Sequence, residues 1–294
     1  MKKNKRTIHL NVFEIVIAIL LGIYSAVMIF MFVWALYNSF KTSLNFDIDC
    51  VGFPRKFTFD NYVNALQGIR MQANINGTDY YIYFFEMLFN SVVYSVGCAF
   101  FATLTPCLVA YVTAKYKVKF NKVVYGIVIF VMVTPIVGNL PSQVAMAKDL
   151  GIYDSQLGLW FMSATFLGIY YLMFYSIFKG LSWEYAEAAF IDGAGHWQIL
   201  LRIMLPLIKN TFLVIFLLNF IARWNDYQTP WIFLPNTPTA AVGVQFFSVG
   251  GEIGMGGVPI KLAASILLML PVIVLFLIFR KKLVGNLTLG GIKG

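Results

Sequence analysis

The chain has 294 residues, of which 60% are hydrophobic and 12% charged, with a formal net charge of +9. A soluble domain is about 25% charged and 45–50% apolar; here the apolar excess falls in runs of about 20 residues, the length that crosses a hydrocarbon core of roughly 30 Å. The composition excludes an ordinary soluble enzyme, and it makes the basic residues a marker of membrane orientation rather than of nucleic-acid binding.

In chain order, Lys2, Lys3, Lys5 and Arg6 form a basic cap before a first span over 12–37. That run is too long for a signal peptide, and no small-residue cleavage site follows it. Residues 42–80 read as a polar extramembrane loop with turn formers at Pro54, Gly68 and Asn76-Gly77, and short structure over 60–66. Asn76-Gly77-Thr78 matches a glycosylation sequon, a pattern short enough to recur by chance. The second span covers 84–114 with Pro106 inside it, where a missing amide hydrogen kinks a helix. The third covers 123–137 and is interrupted by Pro135; a short interfacial helix is expected between Pro141 and Gly151. The fourth runs over 157–178, with Trp160, Tyr170, Tyr171 and Tyr175 placed as interfacial aromatics. A polar segment follows over 179–210. The fifth span, 211–232, is interrupted in its second half by Arg223, Trp224, Asn225, Asp226, Tyr227 and Gln228. Residues 234–260 read as a Gly- and Pro-rich loop, 262–279 as the sixth span with Pro271 inside, and 285–294 as a glycine-rich tail.

Six spans put both termini on one side. Of the 22 basic residues, seven (Lys41, Arg55, Lys56, Arg70, Lys148, Arg223 and Lys261) fall on the opposite side, and the rest lie with the termini. The positive-inside bias then makes the termini, and the segment 179–210, cytoplasmic. Cys50, Cys98 and Cys107 form no CxxC pair, and His9 and His196 have no partner at ligand spacing, so neither a metal site nor a catalytic cluster is expected.

The segment 179–210 is helical in period. Ser182 suits an N-cap, and Glu184 and Glu187 sit in the first turns, where acidic groups complement the helix dipole. Glu184, Glu187 and Ile191 share a face, and Ala188 and Ala189 allow another surface to come close. Gly193 permits a turn, a second short helix follows over 196–204, and Pro206 stands near the start of the fifth span. Two readings stand on physics alone: a docking surface for a protein, or an amphipathic loop on lipid headgroups, against which the acidic face argues because the cytoplasmic leaflet is negative.

Glu187-Ala188-Ala189, three residues, Gly193, nine residues, then Ile203-x-Leu205-Pro206 resemble the EAA loop of permease subunits of binding-protein-dependent ABC importers. At average residue frequencies a chance match to all seven positions is on the order of one in a million. Asp192-Gly193-Ala194 and Trp197 resemble the usual flanks of that loop. Asn38-Ser39-Phe40-Lys41, Asn61-Tyr62, Phe89-Asn90-Ser91, Ala110-Tyr111, Phe220 with Trp224-Asn225-Asp226-Tyr227 and Pro230, and the tail from Leu287 to Gly294 resemble the carbohydrate-uptake branch, which includes the maltose permease. The tail has Leu289-Gly290-Gly291 where Ala-Gly-Ala is usual.

The resemblance implies an all-α polytopic membrane protein of six transmembrane helices, with the MetI-like ABC importer permease fold and a cytoplasmic coupling helix. Glu184, Glu187, Ala188, Ala189, Asp192, Gly193, Ala194, Ile203, Leu205 and Pro206 become the ATPase-coupling residues, with Glu187 meeting a basic residue of an ATPase subunit. The implied partners are two ATPase subunits, a second and different permease chain, an extracytoplasmic solute-binding protein, a sugar (an oligosaccharide by this branch) and membrane lipid. ATP and Mg²⁺ belong to the partner ATPases, since this chain has no GxxxxGK[ST] phosphate loop. The tail 285–294 is expected to insert between the ATPase subunits or to be a free end. The setting implied is a bacterial or archaeal cytoplasmic membrane. Trp224, Asn225, Asp226, Tyr227 and Gln228 are candidates for the substrate path, since aromatic faces and amide or carboxylate groups suit sugars. The competing reading ends the helix there with an Arg223–Asp226 ion pair. The alternatives for the whole chain are an importer permease for a non-sugar solute and a secondary transporter, which would need intramembrane ionisable groups.

Overall fold

The computed structural model describes residues 11–75, 77–134, 138–250 and 257–287. The basic cap at 2–6, Asn76, Pro135, three of the glycines near 254 and the tail 288–294 lie outside them. The chain divides into two compact units, one within Met1–Gly68 and Gly251–Leu267, the other within Ile69–Gly250 and Leu268–Gly294.

In the first unit, α1 (Val12–Asn38) is followed by α2 (Ser43–Ile48) and α3 (Asp60–Gly68). The residues after α1 form a polar knot. Asn61 Nδ2 donates to the carbonyls of Ser39 and Lys41, each at 2.7 Å, and Ser39 Oγ meets Tyr62 Oη at 2.6 Å. Lys41 is 1% exposed and donates its ammonium to the carbonyl of Asp49 at 2.7 Å. The motifs Asn38–Lys41 and Asn61-Tyr62 are therefore two halves of one structure, in which side-chain amides satisfy carbonyls left over at a helix end. The amides of Gly52 and Val51 hold the Asp49 carboxyl below the usual carboxylate range.

The second unit opens with a hairpin, β1 (Arg70–Ile75) and β2 (Thr78–Tyr83), joined in antiparallel register with Ile75 opposite Thr78. The expected loop over 42–80 thus holds two strands in its last third. Asn-Gly is the favoured hairpin corner, and Gly77 takes φ +81° there. Next come α4 (Phe84–Lys115), α5 (Asn121–Val133), α6 (Leu140–Asp149), α7 (Gln156–Met162) and α8 (Ile169–Gly180). They are followed by α9 (Glu184–Ile191), α10 (His196–Ile199), a π turn (Leu200–Met204), α11 (Leu205–Trp224), α12 (Gln228–Phe233) and α13 (Ala240–Gly250). The last helix, α14 (Val258–Leu287), begins in the first unit's range.

The second unit is assembled on α4. Cys107, Ala110 and Tyr111 of α4 pack with Tyr171, Phe174 and Phe178 of α8 and with Ile199, Met204, Ile208 and Ile215. At Gly97 a Cβ would meet the Trp160 ring at 2.0 Å, so this glycine exists to let the indole lie on the α4 backbone. Trp160, half-buried, and the fully buried Tyr171, both expected as interfacial aromatics, serve as packing residues of this unit. Tyr171 Oη is satisfied by Thr113 Oγ1 at 2.9 Å.

Three expected elements differ. The helix expected over 157–178 is two helices separated by 163–168. Ser163 ends α7, the Thr165 hydroxyl accepts from the Leu167 amide, and Gly168 precedes α8 in extended geometry; side-chain bonds to backbone compete here with the helical ladder. The expected loop over 234–260 contains α13. Its amide at Ala240 donates to the buried Ser91 Oγ at 2.7 Å, and Asn90 donates to the Pro238 carbonyl at 3.2 Å, so Phe89-Asn90-Ser91 anchors its start. Gly243, read as a loop residue, sits where a Cβ would press on Met87. The helix expected over 211–232 begins at Leu205 and stops at Trp224. Among the described residues, four helical stretches are long and apolar enough to cross a membrane, and Asn121–Val133 and Ala240–Gly250 are shorter apolar helices.

Candidate coupling surface and solute path

The segment after α8 is a short helical projection. The Glu184 amide donates to Ser182 Oγ at 3.2 Å, which satisfies one of the orphan donors of α9. Ala186 is fully buried against the α4–α8 core. Glu184, Glu187 and Ala188 lie exposed, and Ile191 is 87% exposed. Ala189 and Phe190 are half-buried, so of the two expected small contacts only Ala188 is open.

Gly193 (φ +81°) donates to the Phe190 carbonyl at 3.0 Å, and Ala194 donates to the Ala189 carbonyl at 2.9 Å. These two bonds make a Schellman motif with Gly193 in the left-handed position, where a Cβ is disfavoured. Asp192 is the C-cap and stays exposed. The chain then enters α10, where the Gly195 amide donates to Gln198 Oε1 at 3.0 Å. The π turn follows, with the Leu205 amide donating to the Leu200 carbonyl. Pro206 explains the wide turn: it has no N–H, and its ring needs room against the carbonyl four residues back. Ile203 and Leu205 are half-buried against the core, and Pro206 is exposed. Within the motif, Glu187, Ala188 and Gly193 thus face outward, while Ala189, Ile203 and Leu205 hold the projection to the unit.

The second group of expected residues is divided differently. Trp224 is 1% exposed, stacks on Phe220 and donates Nε1 to the Leu268 carbonyl at 3.0 Å. It is a packing residue, unlike the substrate-contacting role weighed for it. Asp226 accepts from Tyr94 Oη at 3.2 Å, from Arg223 Nη1 at 3.4 Å and from the Thr229 amide at 3.0 Å, so its carboxylate starts α12. Asn225 and Gln228 are exposed and Tyr227 half-exposed.

A cavity of 240 Å³ lies beside this helix end, inside the second unit. Its polar lining comes from Ser163 and Thr165 at the break between α7 and α8, and from Asn219 and Arg223 on α11; Ala102 and Pro106 of α4 close it. Pro106 lacks the amide that would bond the Ala102 carbonyl, which leaves an acceptor at the cavity wall. Asn219 is 8% exposed and donates to Thr103 Oγ1 at 3.1 Å. Sequence reasoning passed over Ser163, Thr165 and Asn219. The available signal was Ser163-Ala164-Thr165 with Gly168 inside an apolar run, since broken helices in membranes line cavities.

The fold and these two features define a polytopic membrane permease with a helical projection. Residues 107–288 match the family described as "Binding-protein-dependent transport system inner membrane component". The chain is 31% identical to the maltodextrin transport system permease protein MdxG of Bacillus subtilis, over 70% of this chain and 74% of that one. It is 28% identical to the trehalose/maltose transport system permease protein MalG of Thermococcus litoralis, over 94% and 95%. It is 27% identical to the arabinooligosaccharides transport system permease protein AraQ of Bacillus subtilis, over 86% and 84%. The fold matches a chain in the crystal structure of a bacterial ABC transporter involved in the import of the acidic polysaccharide alginate, with a TM-score of 0.72, 22% identity and coverage of 92% and 96%. The chain belongs to the family of inner membrane components of binding-protein-dependent transport systems.

Proposed function

We propose that this chain is one transmembrane subunit of an ATP-driven importer of sugars, of oligosaccharide size, and that it forms half of the translocation pathway. The observation that carries the coupling role is α9: a short helix with Glu184, Glu187 and Ala188 open on one side and a glycine-terminated end at Gly193. Such a surface suits insertion into a cleft of an ATPase subunit, with Glu187 meeting a basic group. Sugar as the solute draws support from relatives named for maltodextrin, trehalose/maltose and arabinooligosaccharides.

On this reading two ATPase subunits carry ATP and Mg²⁺, and this chain hydrolyses nothing. A second, different permease completes the pathway, and an extracytoplasmic binding protein delivers the solute. Both termini and α9 face the cytoplasm, and the tail 285–294 reaches between the ATPase subunits. Closure of the ATPase pair moves α9 and turns the spans from inward-facing to outward-facing, a rigid-body exchange of access. Asn225, Tyr227, Gln228 and the cavity at Asn219 form this chain's share of the path.

The test is co-purification with the ATPase subunits from membranes, followed by solute uptake. Glu187→Lys is expected to lower both by about tenfold or more, since a reversed charge at a docking contact costs several kcal/mol. Wild-type levels of both in that variant would sink the docking role.

A further inference from the structure

One side chain outside the coupling segment touches it on both sides of α9. Tyr116 is the C-cap of α4. Its ring stands against Trp183 at 5.6 Å and 75°, just before α9, and against His196 at 5.5 Å, the first residue of α10. Its hydroxyl lies 2.9 Å from His196 Nδ1 and 3.2 Å from Tyr111 Oη. Phe190, in the last turn of α9, closes the group by meeting both Trp183 (6.2 Å) and His196 (5.0 Å, 71°). The backbone around Tyr116 is held in turn. Asn121 Nδ2 donates to the carbonyls of Thr113 and Tyr116, and Lys115 Nζ donates to the carbonyl of Leu181 at 2.5 Å.

We infer that Tyr116 is a positioning residue for coupling: it locks α9 and α10 at a fixed angle and ties their motion to α4. The Schellman turn at Gly193 fixes the end of α9, and Ala194 and Gly195 then lead into α10, so a side-chain tie across the turn adds to what the backbone sets. Tyr116 supplies that tie from outside by gripping Trp183 on one arm and His196 on the other. A push on α9 then reaches α4 through an aromatic contact and a hydrogen bond, in addition to reaching α11 along the chain. Because Tyr111 joins the same hydroxyl group and packs on Phe178 at 5.4 Å, the constraint extends to α8. The docking face is untouched, since Glu187 and Ala188 do not belong to the latch.

This inference rests on the coupling reading and is tested in the assembled transporter, reconstituted with its ATPase subunits and binding protein in vesicles. Tyr116→Phe keeps the ring and removes the hydroxyl, His196→Phe keeps a ring and removes the nitrogen, and the double variant removes both. The readouts are ATPase subunits retained, ATP hydrolysed and solute taken up. Each single variant should retain the ATPase subunits yet deliver about three- to tenfold less solute per ATP, the range of one net hydrogen bond. The double variant should be no worse than either single one, because the two groups act as a pair. An unchanged ratio of uptake to hydrolysis, or penalties that simply add, overturns the latch. If a single variant does not assemble, a second pair of sites, Trp183→Leu with Phe190→Leu, probes the same box from the α9 side with the same ratio. Loss of the ATPase subunits in Glu187→Lys alongside a normal ratio in Tyr116→Phe leaves docking intact and discards only the latch.

Discussion

The second unit contains two interruptions of apolar helix, and they are built in opposite ways. At 181–206 the polar residues point away from the unit, and aromatic and small residues (Trp183, Ala186, Phe190) hold the projection on. At 163–168 the buried Ser163 and the exposed Thr165 line a cavity together with Asn219 and Arg223. A surface meant for a protein partner presents its chemistry on one contiguous segment. On the proposed reading, a path for a small solute gathers its chemistry from separate stretches, here the 163–168 break and α11, with α4 closing the cavity. The first kind is readable as a motif and the second is not.

The sharpest break of this contrast is to plug one region and watch the other. Ala102→Phe grows a ring from a rigid helix into the cavity, and uptake is expected to fall by well over tenfold, with the ATPase subunits still co-purifying. If uptake persists, the cavity is not on the path. Gly193→Val does the reverse. A β-branched residue at φ +81° carries roughly 1–3 kcal/mol of strain, so the end of α9 rearranges, and both ATPase retention and uptake should drop about tenfold while the protein stays in the membrane. Ile191→Ser is the mildest. At 87% exposure the change should alter unfolding stability by under about 0.5 kcal/mol, yet lower ATPase affinity a fewfold, which a titration of ATPase subunit against permease-loaded membranes would read.

The same contrast accounts for what was legible. Glu184, Glu187 and Gly193 each follow a local rule, a dipole or a left-handed turn, and the structure places each where its rule puts it; Ser182, expected as the N-cap, stands one residue before the cap Trp183 and accepts from the Glu184 amide. Trp224 obeyed no such rule, whereas Asp226 did: it pairs with Arg223 three residues back, as the competing reading had it, and accepts from the Thr229 amide. Whether an indole contacts solute or closes a core depends on what stands opposite; Phe220 is one turn back on the same helix, but Leu268 is 44 residues on, a fact that no local pattern carries. The glycines misled for a related reason. Gly77 and Gly193 are turns, but Gly97 and Gly243 are gaps cut for Trp160 and Met87, and only the partner distinguishes the two uses. The break at 163–168 was hidden because hydropathy averages over it, and α13 because a helix rich in glycine and valine resembles a loop by composition.

The polar knot after α1 has a consequence for how this protein tolerates change. Within α1, Asn38 is the buried residue and the apolar window has none, while near its end Trp34 and Tyr37 donate to the carbonyls of Cys50 and Val51. The helix is pinned at one end by Asn38, Ser39 and Lys41 and otherwise faces outward. An extra leucine inserted in its middle would turn the residues before it by about 100° and push them about 1.5 Å along the axis. The residues it moves lie exposed, so it would disturb little of the packing within this chain. The same insertion in α4 would rotate Cys107, Ala110 and Tyr111 away from α8. Within this chain the first part of α1 is thus constrained by hydropathy more than by side-chain shape, and its length can follow the thickness of the membrane.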